Sequence, residues 1–398
     1  MAVLITDGNY KNALAILRAL ATNDVEVYCS STKKKSVSFY SKYCKKHFIY
    51  SNPASQPEKF KKEMLSIVKN YDIDVLIPVG VSTTALISHQ KSDLEKYTHV
   101  PVADYQDFAK AHDKQIANDI ARDNKVPVPL TYTPTTESEL KKHLKELGLP
   151  VMLKARKGCG IFSSARTKSE AFKIWRNYEK KSKETKSIGI TDYLPVVQEY
   201  LPGEIIDVLF VFNKGQVRGL LTQRRFLTLP PEGGVGALNI TVNDPQTARH
   251  AANLMKALNW HGVGMAEFKR DVNGVPKLIE INPKFWGTSE VSIAAEMNFP
   301  YMLYKLAMDG DIKPKFSFLY PKRFGWPVPM GVKQIMESDT PIESLKEYLK
   351  LFTEANSHDI RLLSDPKPFS FQLYQTAKVI LNKILQSRSK RIDLDSFR

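Results

Sequence analysis

Two glutamates and an asparagine within residues 264–287, GMAEFKRDVNGVPKLIEINPKFWG, have the types and spacing to hold a hard cation. The stretch reads as two short strands around Asn273-Gly274, a dipeptide favoured in two-residue type I′ turns because both central residues need φ > 0. Pairing outward from that turn sets Val272 against Val275, Asp271 against Pro276 and, further out, Glu267 against Glu280. The glutamates then occupy a non-hydrogen-bonded position, where side chains approach most closely. Pro276 occupies another, where its missing N–H is not needed. Asn282 shares the face of Glu280, while Ala266, Phe268, Ile279 and Ile281 share the opposite, apolar face. Like charges so placed repel. Mg²⁺ removes the repulsion, since it takes one or two carboxylates and completes its shell with substrate phosphates. The competing reading is a solvated outer face, and the hairpin alone does not separate the two.

Other stretches could meet phosphates and a base. Lys154 ends the apolar run PVMLK just before ARKGCG, whose glycines Gly158 and Gly160 let a backbone approach closely. A lysine there can hold phosphate, although G-x-x-x-x-G-K-[ST] is absent. In VVQEYLPGE, Glu199 and Tyr200 sit at a strand end before Pro202-Gly203. A strand that stops there exposes backbone groups able to read an adenine edge, and Glu204 and Asp207 are near enough to reach ribose hydroxyls. Each signal is weak alone.

The elements that must position these residues follow from periodicity. Strands at 2–6, 24–29 and 74–79 alternate with helices at 11–21 and 56–70, as in a parallel sheet domain ending near residue 113. The first turn lacks G-x-G-x-x-G, so no dinucleotide site is expected there. Asp113 caps a following helix, and Thr136 with Glu139 has capping-box spacing ahead of Gly148. Strand, glycine loop and strand come next, then a run of strands over 195–226 with a turn at Asn213-Lys214-Gly215. PPEGGVGALNIT reads as a loop and DPQTARHAANLMKALNW as a helix before the hairpin.

The chain has 398 residues, with 42% hydrophobic and 25% charged residues, which fits a soluble protein of two or three domains. No apolar run reaches membrane-helix length. The N-terminal segment has no basic region or cleavage site. Three scattered cysteines, Cys29, Cys44 and Cys159, point to a reducing cytoplasm rather than to a disulfide framework. The net charge of +16 is read as lysines on solvated helix faces, because no aromatic residues interleave them as nucleic-acid binding would need.

Taken in order, AHDKQIANDIARDNKVPVP, VMLKARKGCG, VVQEYLPGE, GMAEF and LIEINPKFWG resemble the ATP-grasp family, over about residues 2–310. The pattern is most similar to the branch containing carbamoyl-phosphate synthetase large subunits and smaller ligases. The resemblance implies an α/β (α+β) fold: a Rossmann-like pre-ATP-grasp domain over 1–113, then an ATP-grasp domain over 114–310. Two α+β lobes, a small lid lobe at about 125–200 and a large lobe at about 201–310, would sandwich ATP. Residues 311–398 would be a C-terminal extension.

By the same resemblance, Lys114, Lys154 and the 158–160 glycine loop meet nucleotide phosphates. Glu199, Tyr200 and Leu201 flank adenine, and either Glu204 or Asp207 takes ribose. Glu267, Glu280 and Asn282 hold Mg²⁺ or Mn²⁺. The family usually has arginine two residues after the asparagine, where this chain has Lys284; lysine grips phosphate only as a point charge, so Arg224 or Arg225 is a candidate helper. The implied reaction activates a carboxylate as an acyl phosphate and joins it to an amine. The acceptor would lie near Arg225, residues 233–238, GTSEVS and Ser82-Thr83. Alternatives are a non-catalytic ATP-binding module or a basic nucleic-acid or membrane-surface protein. Phe371, Leu373, Tyr374, Ala377, Ile380, Leu381, Ile384 and Leu385 form an apolar helical stripe of about four turns beside a basic end, expected to pack on the C-terminal lobe, the alternative being an anionic membrane surface.

Overall fold

A computed structural model describes residues 1–158, 161–184, 192–229, 235–328, 332, 335 and 341–395. The N-terminal residues form a parallel sheet in the order β3-β2-β1-β4, from β1 (Ala2–Ile5), β2 (Glu26–Ser31), β3 (Cys44–Ile49) and β4 (Ile73–Ile77). Val3 and Ile5 pack under the helix Lys11–Ala21, and Leu4 packs under Pro57–Asn70 on the other side. A parallel strand covered on both faces reads as an unbroken apolar run, which is why AVLI was legible. The edge strand β3, CKKHFI, was not anticipated, because charged residues are tolerated where one side of a strand has no neighbour.

A second, antiparallel sheet has the order β5-β8-β6-β7, from β5 (Thr131–Tyr132), β6 (Val151–Lys157), β7 (Phe162–Ala165) and β8 (Asp192–Glu199). Helices Glu137–Leu147 and Lys168–Glu184 cover one face, burying Leu140, Leu144 and Trp175 on Val151, Leu153 and Val197. Thr136 accepts from Glu139 N at 3.2 Å, as its spacing predicts.

The third sheet has seven strands: β9 (Ile205–Asn213), β10 (Gln216–Leu229), β11 (Val235–Val242), β12 (Gly262–Arg270), β13 (Pro276–Asn282), β14 (Arg323–Gly325) and β15 (Ser357–His358). Their order is β13-β12-β9-β10-β11-β14-β15. β11 occupies most of the stretch expected to be a glycine loop. Residues 236–241 are all buried, with the polar Asn239 and Thr241 beside Ala237, Leu238 and Ile240. Helix Pro245–Ala257 seals the core with Trp260 and Phe268.

The two hairpins divide the turn types differently from the sequence expectation. Lys214 and Gly215 both take positive φ, 45° and 77°, as a type I′ turn requires. At the other hairpin only Gly274 does, at 77°. There Asp271 Oδ1 accepts from Asn273 N and Val275 N at 2.9 and 3.0 Å and closes a longer loop. Near this loop Arg270, not Asp271, opposes Pro276, and a bulge beside Glu267 restores the Glu267–Glu280 pairing. The same bulge puts Leu278 into the core in place of the expected Ile279, which is half-buried.

The C-terminal residues return to the N-terminal sheet domain. Asp365 is buried and accepts from Arg18 Nε at 2.9 Å, Ser41 Oγ at 2.7 Å and Lys42 N at 3.0 Å. The helix Pro366–Asp395, longer than expected, stacks Phe371 on Tyr40 at 4.3 Å between centroids. Leu373, Tyr374 and Leu381 are exposed, so this part of the predicted stripe is not core packing on the C-terminal lobe; Ile384 and Leu385 lie outside the residues whose side chains are described. No helix among the described residues is long and apolar enough to cross a membrane. Asp365→Ala is expected to lower stability by about 3 kcal/mol, because it strands Arg18 in a largely buried position. Urea unfolding checks this, and an unchanged midpoint would show that Asp365 does not anchor the tail.

Candidate functional site

The register of the seven-stranded sheet builds a polar row. Glu280 on β13 opposes Glu267 on β12, Glu267 opposes Asp207 on β9, and Asp207 opposes Gln223 on β10. One face therefore carries three carboxylates side by side, while Val208, Ala266, Phe268 and Ile281 fill the core behind it.

Cations surround the row. Arg225 Nη2 lies 2.7 Å from Asp207 Oδ1 and 2.6 Å from Glu267 Oε1. Lys114 Nζ lies 3.4 Å from Glu280 Oε2 and donates to Gly158 O at 2.8 Å. Asn282 Nδ2 donates to Glu267 at 2.9 Å and to Glu280 at 3.3 Å. Lys154 reaches in from β6. Strand alternation sends Val151, Leu153 and Ala155 into the helix-covered core and leaves Lys154 on the opposite face. Its Nζ donates to Gln198 Oε1 at 2.8 Å, and Gln198 in turn donates to Thr131. Asp113 caps the helix Lys114–Asp123 and also binds Arg156 Nε with both oxygens at 2.9 Å, so one residue ties Lys114 to β6.

The electrostatics express this crowding. Burial raises the Glu267 carboxyl to about 7, with Arg225 opposing and Glu280 and Asp207 reinforcing. At Glu280 burial pushes upward too, but Lys114, Lys154 and Arg225 outweigh it and hold the group low. Burial lowers the Lys154 ammonium to about 8, with Glu280 opposing and Lys114 reinforcing. Arg225 is raised because Asp207 and Glu267 outweigh its burial. Paired carboxylates with an adjacent amide fit a small hard cation, and the lysines would face the phosphates such a cation carries. With the amide nitrogen turned toward both glutamates, coordination through the Asn282 oxygen requires the amide to rotate.

The other predicted residues fall as follows. Gly158 takes φ of 112°, a conformation suited to glycine, and Gly160 lies outside the described residues. Glu199 N donates to Leu130 O at 2.9 Å, and its carboxylate binds Lys277 at 2.7 Å and Leu130 N at 3.0 Å. Tyr200 is exposed beneath Lys269, and Leu201 is buried. Glu204 is drawn into ion pairs with Arg224 and Arg270, while Asp207 joins the carboxylate row. Lys284 is half-buried and donates to Phe285 O at 3.3 Å. Sequence reasoning missed Gln198, Gln223 and Thr131. Their partners are distant in the chain, and only the alternation of β8 and β10 hints at which way they face.

Residues 194–320 match the family model described as ATP-grasp in the biosynthetic pathway with Ter operon. The fold resembles biotin carboxylase from Campylobacter jejuni in its β,γ-ATP complex, with a TM-score of 0.65, 18% identity, and coverage of 79% of this chain and 72% of that one. It also resembles N5-carboxyaminoimidazole synthetase from Staphylococcus aureus complexed with ADP, with a TM-score of 0.63, 14% identity and coverage of 81% and 80%. L-amino acid ligase from Bacillus licheniformis aligns with a TM-score of 0.60, 13% identity and coverage of 79% and 77%. By sequence, no curated protein matches the chain.

Proposed function

We propose that this chain, whose fold is that of the ATP-grasp ligases, uses ATP and Mg²⁺ to activate a carboxylate as an acyl phosphate and transfers the acyl group to an amine or similar nucleophile. The observation that carries the reading is the Glu267–Glu280–Asn282 cluster of the seven-stranded sheet facing Lys114, at the start of its helix, and Lys154, on the four-stranded antiparallel sheet. The solved structures of similar fold include a biotin carboxylase in a β,γ-ATP complex and a synthetase complexed with ADP, which supports the nucleotide assignment.

Glu267, Glu280 and Asn282 would hold the cation, which when bound neutralises charge on the β- and γ-phosphates. Lys114 and Lys154 would bind phosphate oxygens as point charges. Arg225, held by Asp207 and Glu267, would keep the ligand carboxylate oriented and balanced rather than grip substrate itself. A substrate carboxylate oxygen attacks the γ-phosphorus and ADP leaves. The amine then attacks the acyl carbon, inorganic phosphate leaves, and the nitrogen loses a proton. Lys284, two residues beyond Asn282, would steady the transferred phosphoryl group. The backbone at Glu199 to Leu201 would border adenine, and Glu204, whose partners Arg224 and Arg270 lie outside the carboxylate row, would take ribose.

ADP release from purified protein, screened against carboxylates with amines, tests the proposal. ATP binding without ADP release under any pairing would favour the non-catalytic module. The pH profile is a second test. Glu267 must be ionised to bind the cation, so kcat/KM for ATP should rise with pH through about 7. Lys154 must be protonated to bind phosphate, so the same quantity should fall above about 8. A profile flat from pH 6 to about 9 would remove these roles.

A further inference from the structure

A cavity of about 740 Å³ lies beside Lys284, on the N-terminal sheet domain. Its position follows from topology. In the order β3-β2-β1-β4 the chain runs from β1 toward β2 on one side and meets β4 on the other, with covering helices on opposite faces. The loops after β1 and β4 therefore diverge at their carboxyl ends, and open α/β sheets bind ligands in such crevices. Asn9 to Asn12, after β1, and Val79 to Val81, after β4, form two walls of the cavity. Asp7 fixes the second wall by accepting from Gly80 N at 2.7 Å and Thr83 Oγ1 at 2.6 Å. A Cβ at Gly80 would lie 2.8 Å from Asp7 Oδ1, so glycine is needed for that approach.

The lining is strongly one-signed. Lys11, Lys33, Lys35 and Lys284 line it, and no carboxylate does among the described residues. Lys11 lies 4.0 Å from the Trp326 ring centroid in the field of Glu290 and Asp359, which leaves Lys33, Lys35 and Lys284 as the excess charge. Helices Lys11–Ala21 and Val81–His89 begin at the cavity, and neither has a side-chain cap on its first amides among the described residues. The first of these ends adds positive potential, while at the second the Asp7 carboxylate on Gly80 N offsets it. Phe371, Gln372 and Gln375 of the C-terminal helix form the outer wall.

We infer that this crevice is the acceptor site of the proposed ligase, that it takes a nucleophile bearing carboxylate or phosphate groups, and that the C-terminal helix is one wall of that site. The name acceptor rests on the function proposed above; the anion site does not. Lys33 and Lys35 hold the anionic end, and the glutamine side chains supply directional hydrogen bonds. Lys284, two residues beyond Asn282, also lines the crevice.

Citrate is the probe, titrated calorimetrically into the full chain without nucleotide. Saturable binding is expected, weakened at least about tenfold in the double variant Lys33→Gln, Lys35→Gln, because each charge-assisted contact accounts for a large part of that factor. Lys154→Ala should retain citrate binding, and the double variant should retain its ATP affinity and melting temperature. No saturable binding in the parent would overturn the inference. So would binding lost in Lys154→Ala but kept in the double variant, since citrate would then occupy the nucleotide site. If citrate binds as expected while ATP does not, the ligase reading fails and the anion site stands.

Discussion

Glu280→Gln is expected to reduce Mg²⁺-dependent ADP release at least about a hundredfold while leaving the fold in place. The substitution removes one charge and almost no volume. Glu280 is held low by Lys114, Lys154 and Arg225, which outweigh its burial. Glu267 is raised and already shares its charge with Arg225 and Asp207. Removing Glu280 therefore removes the better anion and leaves a cation facing a carboxylate already engaged by arginine. The fold should survive because β13 keeps its backbone ladder with β12, and Leu278 and Ile281 keep their places in the core. Turnover, Mg²⁺ dependence and the melting temperature should be measured together. Turnover equal to the parent's would remove the hairpin as the cation site. A collapse in melting temperature would instead show that Glu280 chiefly neutralises the two lysines.

How much of this site was legible in the sequence depends on the range of each contact. The Glu267–Glu280 pair was legible because a hairpin is local, although the turn type was misjudged and a bulge compensated for it. Lys154 was legible because a charge at the end of VMLK breaks an apolar alternation. Asp207 was seen only as one of two ribose candidates, because its place beside Glu267 depends on the β12–β9 pairing, some sixty residues apart. Arg225 was visible as a charge near the site but not as a partner of Glu267, for the same reason. The switch-point crevice required the strand order, in which β3 hides behind its lysines. The C-terminal helix showed an apolar stripe without saying what it meets, and only coordinates bring Phe371 onto Tyr40 and Gln375 to the crevice.

Lys154→Ala is expected to weaken ATP binding by about ten- to a hundredfold, the range of one charge-assisted contact, with no loss of stability measured without nucleotide. The second half follows from the sign of the shift. Burial lowers the Lys154 ammonium from 10.5 to about 8. The folded state therefore holds this proton less tightly than the unfolded state does. Below about pH 8 the folded protein carries the desolvation cost in full. As pH rises from about 8 toward 10.5 the unfolded state alone stays protonated, so stability contributed by this group rises across that window. Alanine abolishes the titration, and the parent's stability gain over that window should shrink in the variant. A lysine kept buried at such a cost beside Gln198 and facing Glu280 is consistent with a charge reserved for a ligand rather than for the core. Equal ATP affinity in variant and parent would sink the phosphate assignment. An unchanged pH dependence of stability would show that the ammonium is not desolvated in the folded chain.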